Sequence, residues 1–312
     1  MIIEEMMKIL NASETLSDAE YGKRFNEFLN GKTLHQEIKK LREYRATERT
    51  KILNDYHPKI AQYLLYFEFM SEIDDLFKDQ WESYDSQKKE SIKYKTYAVV
   101  SLFNRARQLM FDMIPLFENG AILSCFALWR TIYESFILSK YLLQSNDLIS
   151  KRFIDYSDIE RAKIDKEYAK NNKTKIDILK GEYGKDFANN YGWIPEKKNR
   201  FFEKIVKVVG ERDSYVNYQY CSMMVHASPF SINHSISYQD GLGNIHALGV
   251  HAEEFPKIYN VTLQVMKEMI DALLDGFVLE EYKKEVFSIT NLGIYAYAIF
   301  KVNPAQEKTD AN

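Results

Sequence analysis

Glycine and proline are scarce in this chain, at 12 and 6 of 312 residues. So few turn-formers cannot punctuate a fold of many short strands, and long uninterrupted elements are expected instead. Cysteine is scarcer still, with only Cys125 and Cys221. Two are too few for a disulfide framework or a zinc module, and both fall in apolar surroundings that suit buried free thiols. A large excess of one charge is also lacking, since the net charge is −3. That balance gives no global attraction to nucleic acid or to an anionic membrane, so any such contact must come from a local patch.

Several signatures are missing as well. Gly241-Leu242-Gly243 follows no strand and has no Lys-Ser/Thr after it, which excludes a phosphate loop. Ser222 sits in no nucleophile-elbow context, and no dinucleotide fingerprint occurs. The opening MIIEEMMKIL carries acidic residues where an export signal would be basic. The run from Ala121 to Leu143 is interrupted by Arg130, Glu134 and Lys140. The charge-free run Val286 to Phe300 is shorter than the ~20 residues a spanning helix needs. A cytoplasmic protein without a membrane segment is expected.

What is present is apolar and aromatic. Apolar residues make up 46% of the chain, with 22 Tyr and 19 Phe to build helix interfaces. Helical periodicity recurs along most of it, so the expected fold is all-α: a multi-helix bundle built on long antiparallel hairpins. A first helix covers Leu16 to Leu29, a second Thr33 to Leu53, and a third starts at His57-Pro58. Tyr94 to Phe117, bent near Pro115, pairs with a central helix after the Asn119-Gly120 turn. Further helices are expected over Leu148 to Asn171, Pro195 to Val209, Arg212 to Ala227 and Phe255 to Tyr282. Residues 229–252 read as one irregular loop rich in His and Gly. The domain expectation is an N-terminal helical extension over 1–90, a main bundle over 91–302 and a disordered tail over 303–312.

The central helix poses the chemical question. Arg130 and Glu134 sit one turn apart, on a face that also carries Leu123, Phe126, Ala127, Tyr133, Ile137, Leu138 and Tyr141. Such a face is expected to be buried, and a buried charged pair needs a partner. About ninety residues later, Ser222 and His226 repeat the i, i+4 spacing, with Tyr215, Tyr218, Gln219 and Met223 on the same face. Two such helices packed together would satisfy each other's polar groups. The sequence therefore predicts an interhelical Arg130–Glu134–Ser222–His226 cluster.

These motifs carry a resemblance. R-x3-E in an apolar helix, then Y-x3-S-x3-H-A-S, is similar to an uncharacterised bacterial family of helical proteins, catalogued as a domain of unknown function. The match rests on Arg130, Glu134, Tyr141, Tyr218, Ser222, His226 and Ser228, and covers roughly residues 95–285. More distantly, the arrangement resembles HEPN ribonucleases, which carry Arg and His in one R-x4-6-H motif at a dimer interface. Here the nearest Arg upstream of His226 is Arg212, so Arg130 would have to come from another helix.

The HEPN resemblance implies metal-independent RNA cleavage by a toxin or phage-defence effector. His226 would move a proton, Arg130 would stabilise charge on the phosphate, Glu134 would hold one of them in place and Ser222 would add a hydrogen bond. Tyr218 with Lys197, Lys198 and Arg200 would bind substrate, in a stretch from Arg161 to Lys204 that holds 12 Lys/Arg against 7 Asp/Glu. RNA and a second copy of the chain are then the expected partners, with no membrane and no DNA sequence recognition. No cofactor is expected. His226, His234, His246 and His251 lack the close spacing of a metal site, so no metal is expected either. The other reading is a non-catalytic binding or scaffold protein whose cluster is a buried polar network fixing how two helices meet.

Overall fold

A computed structural model of the chain describes Lys8 and residues 17–226, 228–231 and 254–277. The described residues form helices and no strand, so the architecture is the all-α bundle the periodicity predicts. The helices are α1 (Asp18–Leu29), α2 (Lys32–Ser83), α3 (Ser86–Glu118), α4 (Ile122–Gln144) and α5 (Asp147–Ile164). They continue as α6 (Lys166–Asn171), α7 (Lys173–Tyr183), α8 (Phe202–Val208), α9 (Tyr215–Val225) and α10 (Phe255–Phe277).

Two compact units emerge. One comprises the described residues up to His57 together with Glu118–Gly120. In it α1 opens with a reciprocal Ser17/Glu20 cap, which satisfies donors that a helix N-terminus leaves orphaned. The other spans Pro58–Phe117 and the described residues from Ala121 onward. The expected domain boundary at residue 90 falls inside α3. The proposed tail 303–312 and most of the irregular loop, 232–252, lie outside the described residues.

Helix α2 corrects one expectation. The sequence suggests two helices, ending at Leu53 and restarting at Pro58, yet the helix runs through Pro58 without a break. A proline costs one hydrogen bond, here to the Asn54 carbonyl, and crowds the preceding turn. Ile60, Tyr63, Met70 and Ile73 are buried beyond it, and that packing carries the helix onward. The turn between α2 and α3 is only Tyr84-Asp85, where Asp85 accepts from Lys88 N at 2.7 Å.

Three helices frame the core of the larger unit. Tyr63 of α2 donates to the Met110 carbonyl of α3 at 3.1 Å, and Phe117 meets Phe255 of α10 edge-on at 4.9 Å. Helices α3 and α4 form the expected antiparallel hairpin. Gly120 takes φ 68° at its turn, and Lys95 Nζ near the start of α3 donates to the Leu143 carbonyl at the end of α4. Helix α4 then packs most extensively against α10 and α9. Phe126, Trp129, Tyr133, Phe136 and Ile137 are sealed there. Gly276 of α10 faces Leu143 so closely that a Cβ would lie 2.5 Å from it.

Beyond α4 the chain breaks into shorter pieces than periodicity suggests. The single helix expected over 148–171 is divided at Asp165, whose side chain accepts from Tyr168 N at 2.8 Å and starts α6. Asn172 ends α6, and α7 follows in a stretch read only as basic. The helix expected from Pro195 begins at Phe202, and Gly210 with φ 83° ends that turn. Among the described residues, no helix is long and apolar enough to cross a membrane.

Candidate functional site

The central pair is placed by the covering of α4. That helix is apolar nearly all round, so its neighbours decide which stripe stays open. The open stripe is Leu123, Ala127, Arg130, Glu134 and Leu138, all half-buried. The expectation that the Arg130 face is buried holds for Phe126, Tyr133, Ile137 and Tyr141 but not along this stripe. The Arg130 and Glu134 side chains are 29% and 35% exposed. Placing the charges on a half-buried stripe avoids most of the desolvation cost that a dry core would impose.

Helix α9 crosses beside this stripe, anchored by its aromatic rings. The Tyr218 ring lies 4.8 Å from Phe202 and 5.4 Å from Tyr133, and stacks with Tyr215 at 5.5 Å. Just upstream, the Tyr133 hydroxyl donates to the Glu211 carbonyl at 3.3 Å, and Lys140 pairs with the Glu211 carboxylate. These contacts hold the start of α9 to α4 and fix where Tyr218 must point.

The hydroxyl of Tyr218 is the hub. It donates to Glu134 Oε1 at 2.7 Å and accepts from Arg130 Nε at 3.2 Å. Arg130 also approaches Glu134 Oε1 at 3.3 Å, and its guanidinium carbon lies 5.2 Å from the Tyr218 ring centre. Burial disfavours the Arg130 charge, but the Tyr218 hydrogen bond and the nearby Glu134 outweigh it and hold its pKa above the usual arginine value. Burial, then the hydrogen bond to Glu134, push the Tyr218 phenol well up, so it stays a donor at neutral pH.

His226 completes the group, although it is not on the helix. The helix expected over 212–227 spans Tyr215–Val225, and His226 follows in an extended conformation at φ −82°, ψ 145°. Pro229 biases Ser228 away from the helical region. Ser228 Oγ donates to the Met223 carbonyl at 3.2 Å, and Ser231 Oγ donates to the His226 carbonyl at 2.6 Å. Released from the helix, the exposed imidazole presents Nε2 to Arg130 Nη1 at 3.1 Å. A guanidinium has no lone pair to offer, so Arg130 donates and Nε2 accepts, which puts the imidazole proton on Nδ1.

Three of the four residues expected in the cluster thus meet: Arg130, Glu134 and His226. Ser222 is half-buried on α9, and among the described residues no hydrogen bond joins its hydroxyl to the other three. Tyr218, expected to bind substrate, is 8% exposed and ties Arg130 to Glu134. A buried tyrosine one turn before Ser222 was the available signal for that role.

The basic residues form a second group. Lys197 pairs with the Asp186 carboxylate. Arg200 spends its guanidinium on backbone carbonyls, at 2.8 Å from Ile194 and 3.3 Å from Asp186. Lys198 is exposed. Lys197 and Arg200 line a cavity of about 580 Å³ with Lys163, Asn190 and the exposed Phe201. No ion pair or hydrogen bond joins them to the Arg130 cluster among the described residues.

Sequence reading missed the turn between these groups. Tyr191, in the Asn189-Asn190-Tyr191-Gly192 turn, is the one non-glycine described residue at positive φ, 51°. Burial, then the charges of Glu134 and Glu160, push its phenol up to about 12, so its hydroxyl lies within electrostatic reach of the cluster. Asn190 and Tyr191 line a further cavity of about 600 Å³ that reaches Leu138, one turn beyond Glu134. His234, His246 and His251 fall outside the described residues.

Fold and site define an all-α bundle with a half-exposed Arg–Glu–Tyr–His cluster between two helices. Residues 96–244, just under half of the chain, match the model of a family of unknown function (DUF5677). That span contains Arg130, Glu134, Tyr141, Tyr218, Ser222, His226 and Ser228. No curated protein matches the chain, and no solved structure does.

Proposed function

We propose that this chain is a metal-independent ribonuclease-type effector, of the toxin or phage-defence kind, acting through Arg130 and His226. The observation that carries the reading is the 3.1 Å approach of Arg130 Nη1 to His226 Nε2 at a solvent-reaching surface. The pairing of Arg and His in HEPN motifs lies along one helix; here two segments 96 residues apart supply it.

The chemistry follows from what each group can do. A phosphodiester entering the cluster gives Arg130 a charged acceptor in place of the imidazole. Nε2 is then free to take the proton of a ribose 2′-hydroxyl. The 2′ oxygen bonds to phosphorus, the bond to the 5′ oxygen breaks, and the departing oxygen takes a proton from water while the imidazolium releases its own. Arg130 neutralises the charge that builds on the non-bridging oxygens. Glu134 and Tyr218 are positioning residues that hold the guanidinium through its Nε edge. Lys163, Lys197 and Arg200 outnumber Asp186 around their cavity, which suits the flanking phosphates.

A second reading has its own observation. Tyr218 is buried, nested among three aromatic rings and bonded to both charged residues of α4, as a purely structural network would be. Purified protein and its Arg130→Ala and His226→Ala variants separate the two. The proposal expects RNA cleavage by the parent protein, at least ~100-fold less in each variant, and unchanged helicity by circular dichroism. Equal cleavage by folded variants, or none by the parent, favours the structural network.

A further inference from the structure

Beside the Arg130 cluster lies a hollow of about 600 Å³, bounded by the first half of α3, by α5 and by the turn at Asn190-Tyr191. Its size falls within the roughly 300–1,000 Å³ of small-molecule sites. Leu138 lines it, one turn from Glu134 along the half-buried stripe of α4. Tyr191, another lining residue, feels the charges of Glu134 and Arg130. Asn190 lines both this hollow and the cavity of Lys163, Lys197 and Arg200. The hollow thus adjoins both the cluster and the basic cavity.

Its lining is aromatic and carries a carboxylate. Phe153 and the buried Trp193 meet edge-on at 5.0 Å, and the Tyr156 hydroxyl donates to the Asn189 carbonyl at 2.5 Å, so these rings are held in place. Tyr97 differs from them: it is 65% exposed, and among the described residues no ring contact or hydrogen bond engages its side chain. An open aromatic face of this kind is a platform on which another ring can stack. Glu160 is the one charged side chain among the described lining residues. Its carboxylate makes no hydrogen bond or ion pair among the described residues.

These groups suit a base and not a phosphate. A phosphate here would meet the Glu160 charge with no cation in the described lining to offset it, whereas the adjoining cavity sets Lys163, Lys197 and Arg200 against Asp186. A nucleobase is flat and neutral, and single-stranded RNA is read by stacking its bases on aromatic rings and hydrogen-bonding their Watson–Crick edges. An ionised carboxylate only accepts, through two oxygens, so it favours an edge with two neighbouring donors. Guanine has that edge, with its N1–H beside its N2 amino group. Adenine and cytosine place an acceptor nitrogen next to a single amino group, and uracil flanks a single N–H with two carbonyls.

We infer that this hollow is a base pocket that holds a guanine of the RNA next to the scissile phosphate, with Tyr97 stacking on the ring and Glu160 accepting from its N1–H and N2 amino group. The inference rests on the ribonuclease reading of the Arg130 cluster, since the guanine belongs to the strand cut there. Tyr97 and Glu160 set affinity and base choice and take no part in moving the proton.

Binding and cutting are measured separately on the full chain. The binding probes are the 5′-monophosphates of guanosine, inosine and adenosine, titrated by calorimetry; inosine keeps the N1–H and lacks the N2 amino group. The guanosine nucleotide is expected to bind about tenfold tighter than the inosine one, as one further hydrogen bond to a charged acceptor requires, and the adenosine nucleotide weakest. Glu160→Gln weakens the guanosine nucleotide about tenfold or more and leaves the adenosine one nearly unchanged. Tyr97→Ala weakens all three about tenfold, because stacking serves every base. Both residues are exposed, and circular dichroism checks that the variants fold. A single-stranded RNA containing all four bases is cut beside guanine by the parent protein and without that preference by Glu160→Gln. Guanosine binding that Glu160→Gln removes, with no RNA cut by the parent, upholds the guanine pocket and overturns the ribonuclease reading. Equal binding of the three nucleotides, undiminished guanosine binding by folded Glu160→Gln, or RNA cut with no preference for guanine overturns the pocket, and in the last case the ribonuclease reading stands.

Discussion

Arg130 Nη1 donates to Nε2 of His226 at 3.1 Å, across 96 residues of sequence. The contact joins a helix to the first residue beyond another helix, and both side chains reach solvent. It holds the imidazole in one tautomer and keeps a lone pair aimed at a cation. That lone pair is the one through which an imidazole acts as a base.

The Tyr218 hydroxyl should hold the cluster together. Tyr218→Phe keeps the ring stack and removes the donor to Glu134 and the acceptor for Arg130 Nε. A loss of about 1–2 kcal/mol is expected, read as a lower urea midpoint at unchanged helicity. An unchanged midpoint would mean that the rings alone fasten α9 to α4.

Two glycines should respond oppositely to alanine. A Cβ on Gly192 would lie 2.2 Å from the Phe187 carbonyl oxygen, while Gly181, inside α7, has nothing within 4 Å. The Gly192 and Trp193 carbonyls also accept from the buried Arg152. Gly192→Ala is expected to cost more than about 2 kcal/mol by displacing that turn. Gly181→Ala should gain about 0.5–1 kcal/mol from helix propensity. Thermal or urea unfolding of the two variants beside the parent protein measures both signs.

Acid should loosen the corner between α5 and α7. Burial disfavours the Asp158 charge, but hydrogen bonds from Lys175 and Tyr168 outweigh it and lower its pKa below the ordinary value. A carboxylate whose pKa is lower folded than unfolded stabilises the fold above its unfolded value, about 3.9, and that contribution fades as pH falls through the folded value. Asp158→Asn should therefore be less stable than the parent at pH 7, with the gap closing towards pH 3. Urea midpoints at both pH values decide it, and a gap of equal size at pH 3 contradicts the assignment.

Much of the cluster was legible because its residues repeat at helical spacing in apolar surroundings. Arg130 with Glu134, and Tyr218 with Ser222 and His226, announce two helices that need each other. Which stripe of α4 stays uncovered was not legible, since an all-round apolar helix leaves that choice to its neighbours. The departure of His226 from α9 depends on Ser228 and Ser231 taking carbonyls that a longer helix would have bonded itself. The hydroxyl reaching Glu134 belongs to Tyr218 rather than Ser222, because only the longer side chain spans the gap between helices. Pro58 misled for a related reason: a proline's local cost is visible in sequence, whereas the packing that outweighs it is not. The turn at Tyr191 was overlooked because its two asparagines and glycine read as an ordinary loop.

The ends of cleaved RNA test the central claim most directly. A defined single-stranded RNA is incubated with the full chain in excess EDTA, and the product termini are resolved by mass spectrometry. Attack by the 2′-hydroxyl, with His226 as base, leaves 2′,3′-cyclic phosphate and 5′-hydroxyl ends, and an RNA carrying 2′-deoxy sugars stays intact. Folded His226→Ala should give neither end above background. Cleavage that EDTA abolishes, 5′-phosphate ends, cutting of the 2′-deoxy strand, or equal yields from His226→Ala would contradict the account.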